Sequence, residues 1–267
     1  MTGETSPIEL WEHPLSPYAQ KVKIALMEKG VPFSSKTPHA IGSGSTAEEF
    51  RKTSFRGEVP VLIIEGHAIV DSTIILEFLE ERFPQPRLLP TDPFERARAR
   101  MIEEVCDTHF EAINWGLSEI VHFKRATGEL ADILRTRAGE QIGRLQCWLE
   151  RELAEPDWFG GAQFGWADVS AVAFVQGASN FGFAPAEGSR LSRWLERCTQ
   201  RRSVSAVFQA AGQSAAFLKN VAGLIKTGAF KRQYRDHRLE WMIRSGGLQV
   251  VLDGLKQDNI RFNSEPS

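Results

Sequence analysis

The change in hydrophobic periodicity near residue 90 is the feature that most constrains the fold of this chain. Residues 1–83 alternate short apolar runs with helical patterns, in the order strand, helix, strand, helix, hairpin, helix. From residue 92 to about residue 217, apolar residues recur only at helical spacing. Mixed strands and helices favour a sheet covered by helices, whereas unbroken helical periodicity favours a bundle. The sequence therefore predicts two structurally different domains.

The segments between these patterns set the predicted boundaries. An α/β domain with a small mixed sheet covers residues 1–83, and a proline-rich linker covers residues 84–91. An all-helical bundle domain follows over residues 92–217. Residues 218–267 form a helical C-terminal extension, which Gly246 and its neighbouring glycine divide into two helical parts.

Local signals predict individual elements within these domains. Thr46 and Glu49 have the spacing of a capping box that opens a short helix. The Val59–Val70 segment reads as a hairpin around a Glu-Gly turn. Asp92 caps one long helix, and the Val169–Val175 run is apolar on all sides, which predicts a buried helix.

Composition excludes several classes of function. The formal net charge is −2, from 32 Lys and Arg against 34 Asp and Glu, so nothing draws the chain to nucleic acid or an anionic membrane. No apolar run approaches the ~18 residues of a membrane span, and the polar N-terminus does not resemble a secretory signal. The three cysteines lack metal-ligand spacing, so we expect no metal and a reducing, cytoplasmic location.

Ser16 lies where the first predicted strand meets the first predicted helix. Free N–H groups and the helix dipole favour an anion at that point. The hydroxyl can cap the helix, or it can donate a hydrogen bond to a bound anion. Local sequence leaves both interpretations open.

Two residue pairs likewise allow both a structural and a ligand-binding interpretation. Val59-Pro60 starts an otherwise continuous apolar run, which is typical of an edge strand or of a cis bond that exposes the Val59 backbone. Asp71-Ser72 begins a helix directly after a strand, so it caps that helix or grips the amine and carboxylate of an amino-acid head group. Asp168, by contrast, is interpreted as structural, because it can bond back to the backbone of Gly165 at the start of the buried helix.

These features together resemble the cytosolic glutathione transferases, over residues 8 to about 215. The matching segments, in the family's order and spacing, are SPYAQKVKIALMEKG, GEVPVLIIEGHAIVDSTIILEFLEERFP and FGWADVSAVAF. The resemblance implies a thioredoxin-like first domain, glutathione as co-substrate, and a homodimer.

The resemblance also implies a role for each residue. Ser16 would be the catalytic residue of a serine-type member. Val59 would bind the cysteinyl part of glutathione through its backbone beside cis-Pro60, and the Asp71-Ser72 pair would hold the γ-glutamyl group. Asp168 would be the capping-box acid that the helical domain needs to fold.

The chain departs from the family pattern at three places. Ser54-Phe55 stands where the family often has Asn-Pro, and Gly165 stands where Ser or Thr is usual. The lysine that some members use for the glycine carboxylate of glutathione has no clear match, and Arg51 and Lys52 are the candidates.

The predicted chemistry is stabilisation of a thiolate. A free thiol has a pKa of about 8.5, and lowering it by ~2 units needs about 2.7 kcal/mol. One charge-assisted hydrogen bond supplies about 1.5–3 kcal/mol and a helix end ~0.3–1 kcal/mol. Ser16 is thus predicted to act as a hydrogen-bond donor rather than as a base or an acylated nucleophile.

The electrophile is expected between the domains, against the long helix. Its predicted contacts are Tyr18, His109, Phe110, Ile113 and Asn114. The alternative for each is ordinary interdomain packing.

The predicted function is a glutathione transferase that acts on a small apolar electrophile. The alternatives are a glutathione-dependent lyase, dehalogenase or isomerase of the same fold, or a non-catalytic glutathione-binding protein. A thiol–disulfide reductase would need cysteine at position 16, where the chain has serine. The extension carries nine Lys or Arg against five Asp or Glu over residues 215–267, which predicts either a solvated basic face packed on the helical domain or a lid or anion contact.

Overall fold

The computed structural model describes residues 8–38, 48–153, 158–219, 221–227 and 229–262. The strands are β1 Glu9–Trp11, β2 Ser34–Lys36, β3 Val61–Ile64, β4 His67–Val70, β5 Arg232–Gln233 and β6 Ile260–Arg261. The α-helices of the first part are α1 Pro17–Glu28, α2 Glu48–Thr53 and α3 Ser72–Arg82. Those that follow are α4 Pro93–Val105, α5 Glu111–Val121, α6 Gly128–Glu152, α7 Trp166–Asn180, α8 Arg190–Gln200, α9 Arg202–Ser214, α10 Val221–Lys226, α11 Asp236–Arg244 and α12 Leu248–Lys256. Thr46, the predicted capping residue of α2, lies outside the described residues.

The sheet of the first domain has the strand order β2-β1-β3-β4, with β1 and β2 parallel and the other pairs antiparallel. This confirms the predicted small mixed sheet. The predicted hairpin is also present, because Glu65 and Gly66 both have positive φ, as a two-residue turn between twisted strands requires. The domain boundaries remain a prediction.

The register of the sheet brings three chain segments to one end. Trp11, the last residue of β1, pairs with Val61, the first residue of β3. Val61 in turn pairs with Val70, the last residue of β4. The segments that leave β1, enter β3 and leave β4 therefore start from one row across the sheet.

The helical part is built around α7, the predicted buried helix. It packs against α1, α4 and α5, and its side chains from Ala167 to Val175 are buried. Residues of both domains belong to one hydrophobic cluster, so α1 and α7 join the two domains through their shared core.

One long helix begins after Asp92, as predicted, but a π-helical segment, Cys106–Phe110, interrupts it between α4 and α5. A π turn contains an extra residue, so side chains after it are rotated from the positions that a continuous α-helix gives them. After α9, a short 3₁₀ helix over residues 215–219 leads to the C-terminal part, whose α11 packs on α5. Within the described ranges, no helix combines the length and the apolar character needed to cross a bilayer.

Candidate functional site

Ser16 is the N-cap of α1 and has extended backbone dihedrals. Its Oγ accepts a hydrogen bond from the Ala19 backbone N–H at 3.3 Å, and Pro17 takes the first helical position, where no donor is needed. The side chain is half-buried. Because the cap uses an oxygen lone pair, the hydroxyl hydrogen takes no part in it and can point to a ligand.

The Val59–Pro60 peptide bond is cis, which confirms one of the two interpretations of this pair. Pro60 is buried, and Val59 packs beside the cluster of Trp11, Phe50 and Val61. Just before the pair, Ser54 Oγ donates to the Glu58 carbonyl at 3.0 Å and accepts from the Glu58 N–H at 3.3 Å. These bonds fix the turn that leads into Val59.

Asp71 has a φ of 79°, which is uncommon for a residue other than glycine. Its Oδ1 caps α3 by accepting from the N–H groups of Thr73 at 3.0 Å and Ile74 at 3.5 Å. Its Oδ2 accepts a hydrogen bond from Arg56 Nη1 at 3.1 Å, and sequence analysis did not predict that partner. Sparsely populated backbone conformations of this kind cluster at ligand sites. Capping and ligand binding are thus compatible, because they use different oxygens.

A buried charge network connects these segments to the helical domain. Lys21 of α1 is fully buried, and its Nζ lies 2.7 Å from Glu103 Oε1 and 2.6 Å from Asp107 Oδ2. Thr73, the residue after Ser72, donates to the same Glu103 oxygen at 2.9 Å. Burial alone would lower the pKa of Lys21, but Asp107 and Glu103 raise it. The network therefore holds the starts of α1 and α3 at fixed positions relative to α4.

Asp107 lies in the π segment and faces the site. The pKa of Asp107 is raised to about 6, chiefly by burial; Glu103 and Asp71 act in the same direction, and Lys21 acts in the opposite one. Its Oδ1 is buried and has no hydrogen-bond partner among the described residues. Its backbone carbonyl accepts from the Tyr18 hydroxyl at 2.6 Å.

The five residues that are predicted to contact the electrophile lie in different surroundings. The Tyr18 hydroxyl is held by the Asp107 carbonyl, and its ring packs edge-on against Phe174. The Asn114 amide donates to the Phe174 carbonyl at 2.9 Å. Phe110 and Ile113 are buried in the core, and His109 is exposed. The π turn shifts the helix register, so Ile113 and Asn114 face directions other than those that a continuous α-helix would give them, and all five contacts stay predictions.

Asp168 has the structural environment that the sequence predicted. Its carboxylate accepts from the Gly165 N–H at 2.9 Å, the Phe159 N–H at 3.1 Å and Trp194 Nε1 at 2.7 Å. The pKa of Asp168 is raised to about 6, because the effect of burial outweighs the lowering effect of these hydrogen bonds. A Cβ at Gly165 would lie 2.8 Å from the Leu88 carbonyl oxygen, which explains why this cap is not Ser or Thr.

The C-terminal extension directs some of its basic residues inward. Glu111 of α5 binds Arg238 through both carboxylate oxygens and His237 at 2.9 Å. Glu119, also of α5, binds Arg125 at 3.1 Å and Arg232. The predicted solvated face is therefore wrong in one respect, because Arg232 and Arg238 of the extension form ion pairs with buried glutamates of α5. A lid or anion contact remains the other alternative.

The extension also reaches the first domain. Arg235 Nη2 lies 3.4 Å from Glu58 Oε2, and its guanidinium lies 5.6 Å from the centre of the Tyr18 ring. Glu58 immediately precedes Val59, and Tyr18 is two residues after Ser16. The extension thus contacts the first domain close to Ser16 and Val59. Among the described residues, no group of three or more His, Cys, Asp or Glu side chains is arranged to hold a metal ion.

Comparison with known proteins identifies the family. Residues 10–87 match the N-terminal domain of glutathione S-transferases, and residues 112–202 match the C-terminal domain. A probable glutathione S-transferase of Nicotiana tabacum is 31% identical over 63% of this chain and 70% of that protein. A maleylacetoacetate isomerase of Pseudomonas aeruginosa is 30% identical over 70% of this chain and 88% of its own length.

A solved structure agrees with these matches. A rice glutathione S-transferase in complex with glutathione superposes with a TM-score of 0.67 at 25% identity, over 83% of this chain and 98% of that one. The superposition supports the assignment of both domains, and with the family matches it confirms the resemblance. The chain belongs to the glutathione S-transferase family.

Proposed function

We propose that this chain conjugates the thiolate of glutathione to a small apolar electrophile, with Ser16 stabilising the thiolate. Membership of the glutathione S-transferase family makes it a glutathione-dependent enzyme. The observation that carries the assignment is the register Trp11–Val61–Val70, because it brings the segments with Ser16, Val59 and Asp71 to one end of the sheet. A tripeptide needs such a set: one group for its sulfur, one for its backbone and one for its γ-glutamyl head.

Ser16 acts on the sulfur as a hydrogen-bond donor. The Ala19 N–H fixes its Oγ at the positive end of α1, so the hydroxyl hydrogen is free to meet a sulfur anion. A charge-assisted bond of about 1.5–3 kcal/mol corresponds to a thiol pKa lower by ~1 to 2 units. With a shift of ~2 units, from about 8.5 to about 6.5, most of the bound thiol is ionised and nucleophilic at neutral pH.

The remaining residues hold the rest of the tripeptide. The Val59 backbone pairs with the cysteinyl part beside Pro60, and Asp71 Oδ2 with the Ser72 hydroxyl holds the γ-glutamyl group. Asp71 keeps its capping bond to Thr73 while it does so, because that bond uses the other oxygen. The electrophile lies between the start of α1 and the π segment, where Tyr18 offers its ring rather than its engaged hydroxyl. The other predicted contacts of the electrophile remain His109, Phe110, Ile113 and Asn114.

A glutathione-dependent isomerase is the second candidate. One observation favours it: the Pseudomonas relative named maleylacetoacetate isomerase matches the chain over most of its length. The same thiolate serves both reactions, because isomerisation begins with its addition to a conjugated double bond. Assays with aryl halides and with cis-enones separate the two candidates.

The test of the proposed function is Ser16→Ala, with Ser189→Ala as the matched control. Ser189 caps α8 through a bond from the Ser192 N–H at 3.0 Å, so both variants lose one helix cap. We expect Ser16→Ala to keep the KM for glutathione and to lower kcat by about 10- to 100-fold, while the control keeps both constants. Equal activity of the two variants would exclude Ser16 from catalysis.

We propose further that the protein is a cytoplasmic homodimer. Ile74 on α3 and Phe94 and Met101 on α4 are large apolar side chains exposed to solvent, and exposed apolar surface of this kind is typical of protein interfaces. Of the cysteines, Cys106 and Cys198 are buried and Cys147 is exposed, all three as free thiols, which suits a reducing compartment. Light scattering of Phe94→Glu and of the wild type tests the dimer, which the variant is expected to dissociate.

A further inference from the structure

An ion pair joins the C-terminal extension to the loop of residues 54–58, which leads into Val59. Arg235 Nη2 lies 3.4 Å from Glu58 Oε2, and only 19% of each side chain is exposed. The Arg235 guanidinium also lies over the Tyr18 ring, within the range of a cation–π contact. A fully exposed ion pair contributes little, but this arginine is partly buried and has a second contact. The pair therefore fixes the Glu58 side chain relative to the extension.

The loop that carries Glu58 connects two parts of the proposed glutathione site. Ser54 Oγ holds the Glu58 N–H and carbonyl, which shapes the last turn before Val59. Arg56, in the middle of the loop, donates to Asp71 Oδ2 at 3.1 Å. The loop thus contacts the residue proposed for the γ-glutamyl group and leads into the residue proposed for the cysteinyl part. A displacement of Glu58 would therefore disturb both contacts with glutathione.

The helical domain fixes the arginine at the other end of the pair. Arg235 is the N-cap of α11, and its carbonyl accepts from the Leu239 N–H at 2.8 Å. The pair of Arg238 with the buried Glu111 holds α11 on α5. The Arg235 side chain therefore extends from a backbone that α5 holds in place. A continuous set of contacts runs from α5 through α11 and Arg235 to the loop before Val59.

Attraction of the ligand by charge is the simpler role for Arg235. Glutathione is an anion, so an arginine nearby would strengthen its binding and a glutamate nearby would weaken it. Because Glu58 lies 3.4 Å from Arg235, the opposite charges of the two side chains largely cancel for a ligand further away. The pair is therefore better suited to hold the loop than to attract an anion.

We propose that Glu58 and Arg235 are positioning residues for glutathione, whose ion pair holds the Val59 backbone in the orientation that binds the tripeptide. The pair thereby couples the docking of the extension to the binding of glutathione. This inference rests on the proposed glutathione transferase function. Neither residue acts on the sulfur, which Ser16 stabilises.

The test is calorimetry of glutathione binding to Glu58→Gln, to Arg235→Gln and to the double variant. We expect each single variant to bind glutathione about fivefold more weakly, at the lower end of typical coupling between sites. The double variant should bind no more weakly than either single variant, because one lost pair accounts for both effects. The kcat at saturating glutathione should stay unchanged, since the pair contributes to binding alone. The matched control is the exposed pair of Glu240 and Arg244 on α11, whose single Gln variants should keep the wild-type affinity.

The direction of each effect separates positioning from attraction by charge. If the two residues acted only through their charges, Glu58→Gln would strengthen glutathione binding and Arg235→Gln would weaken it. Effects of opposite sign, additive losses in the double variant, or wild-type affinity in both single variants would each overturn the proposal. So would a loss of stability in urea with unchanged affinity, which would make the pair purely structural. If the wild type itself does not bind glutathione, the transferase function fails, and this inference with it.

Hydrogen exchange gives the reciprocal readout. Coupling acts in both directions, so bound glutathione should stabilise the docked position of α11. We expect glutathione to slow the exchange of the α11 amides in the wild type and to have no such effect in Glu58→Gln at saturating ligand. Equal protection of α11 in both proteins would overturn the coupling while leaving the transferase function intact.

Discussion

Replacing Glu111 by Gln tests whether the extension is held by charge. The Glu111 carboxylate is almost fully buried and binds Arg238 and His237 of α11. Burial would raise its pKa, but Arg238 and His237 lower it from 4.5 to about 2. The glutamine side chain keeps the shape of the group and removes its charge. We therefore expect the contacts of α11 with α5 to weaken in Glu111→Gln.

The magnitude follows from the pKa shift. A difference of about 2.5 units corresponds to about 3 kcal/mol at pH 7, at 1.36 kcal/mol per unit. Because the folded-state pKa is lowered, this stability is present above pH ~4.5 and is lost as the pH falls towards about 2. At pH 3 the same relation leaves about 1 kcal/mol of this stabilisation.

The assay is urea unfolding of wild type and variant between pH 7 and pH 3. The control is Glu240→Gln, because Glu240 makes an exposed pair on the same helix, worth at most about 0.5 kcal/mol. Hydrogen exchange of the α11 amides gives a local readout, and only Glu111→Gln should accelerate it. The reasoning would be refuted if the wild type and Glu111→Gln had the same free energy of unfolding, or if the difference between them did not change with pH.

Two further substitutions test the packing of α11 on α5 and the role of Asp71 in ligand binding. In Gly116→Ala the new Cβ would lie 2.0 Å from the Trp241 ring, so we expect a loss of about 1–3 kcal/mol in urea unfolding. Ala at Gly212, a helical position with nothing within 4 Å, should instead be neutral or stabilising, and an equal effect at both sites would contradict the close packing of α11 on α5. In Asp71→Asn the cap and the positive φ are retained while the charge is lost. The KM for glutathione should then rise about tenfold with little change in kcat, whereas an unchanged KM would reduce Asp71 to a helix cap.

The parts of the fold that sequence could predict are those set by neighbouring residues. The hairpin around Glu65 and Gly66 and the caps at Ser16, Asp71 and Asp168 depend on side chains within a few positions of one another. Sequence analysis could place α7 in the core because the helix is apolar on all sides and has no polar face to expose to solvent. These local signals also located the three segments that meet at the end of the sheet.

The parts that sequence could not predict depend on distant partners. Lys21 binds Glu103 and Asp107, which lie 82 and 86 positions away, and Glu111 binds Arg238 across 127 positions. Nothing in local composition distinguishes these charges from solvated ones. The π segment was missed for a different reason, because its apolar spacing differs from that of a regular helix by a single residue.

Titration of the bound sulfhydryl tests the central claim most directly. The thiolate absorbs in the ultraviolet, so the difference between complex and free protein reports ionisation as the pH is raised. We predict that glutathione bound to the wild type ionises about 2 units below the ~8.5 of a free thiol, and that Ser16→Ala restores the free value. An unshifted ionisation in the wild-type complex would contradict the account.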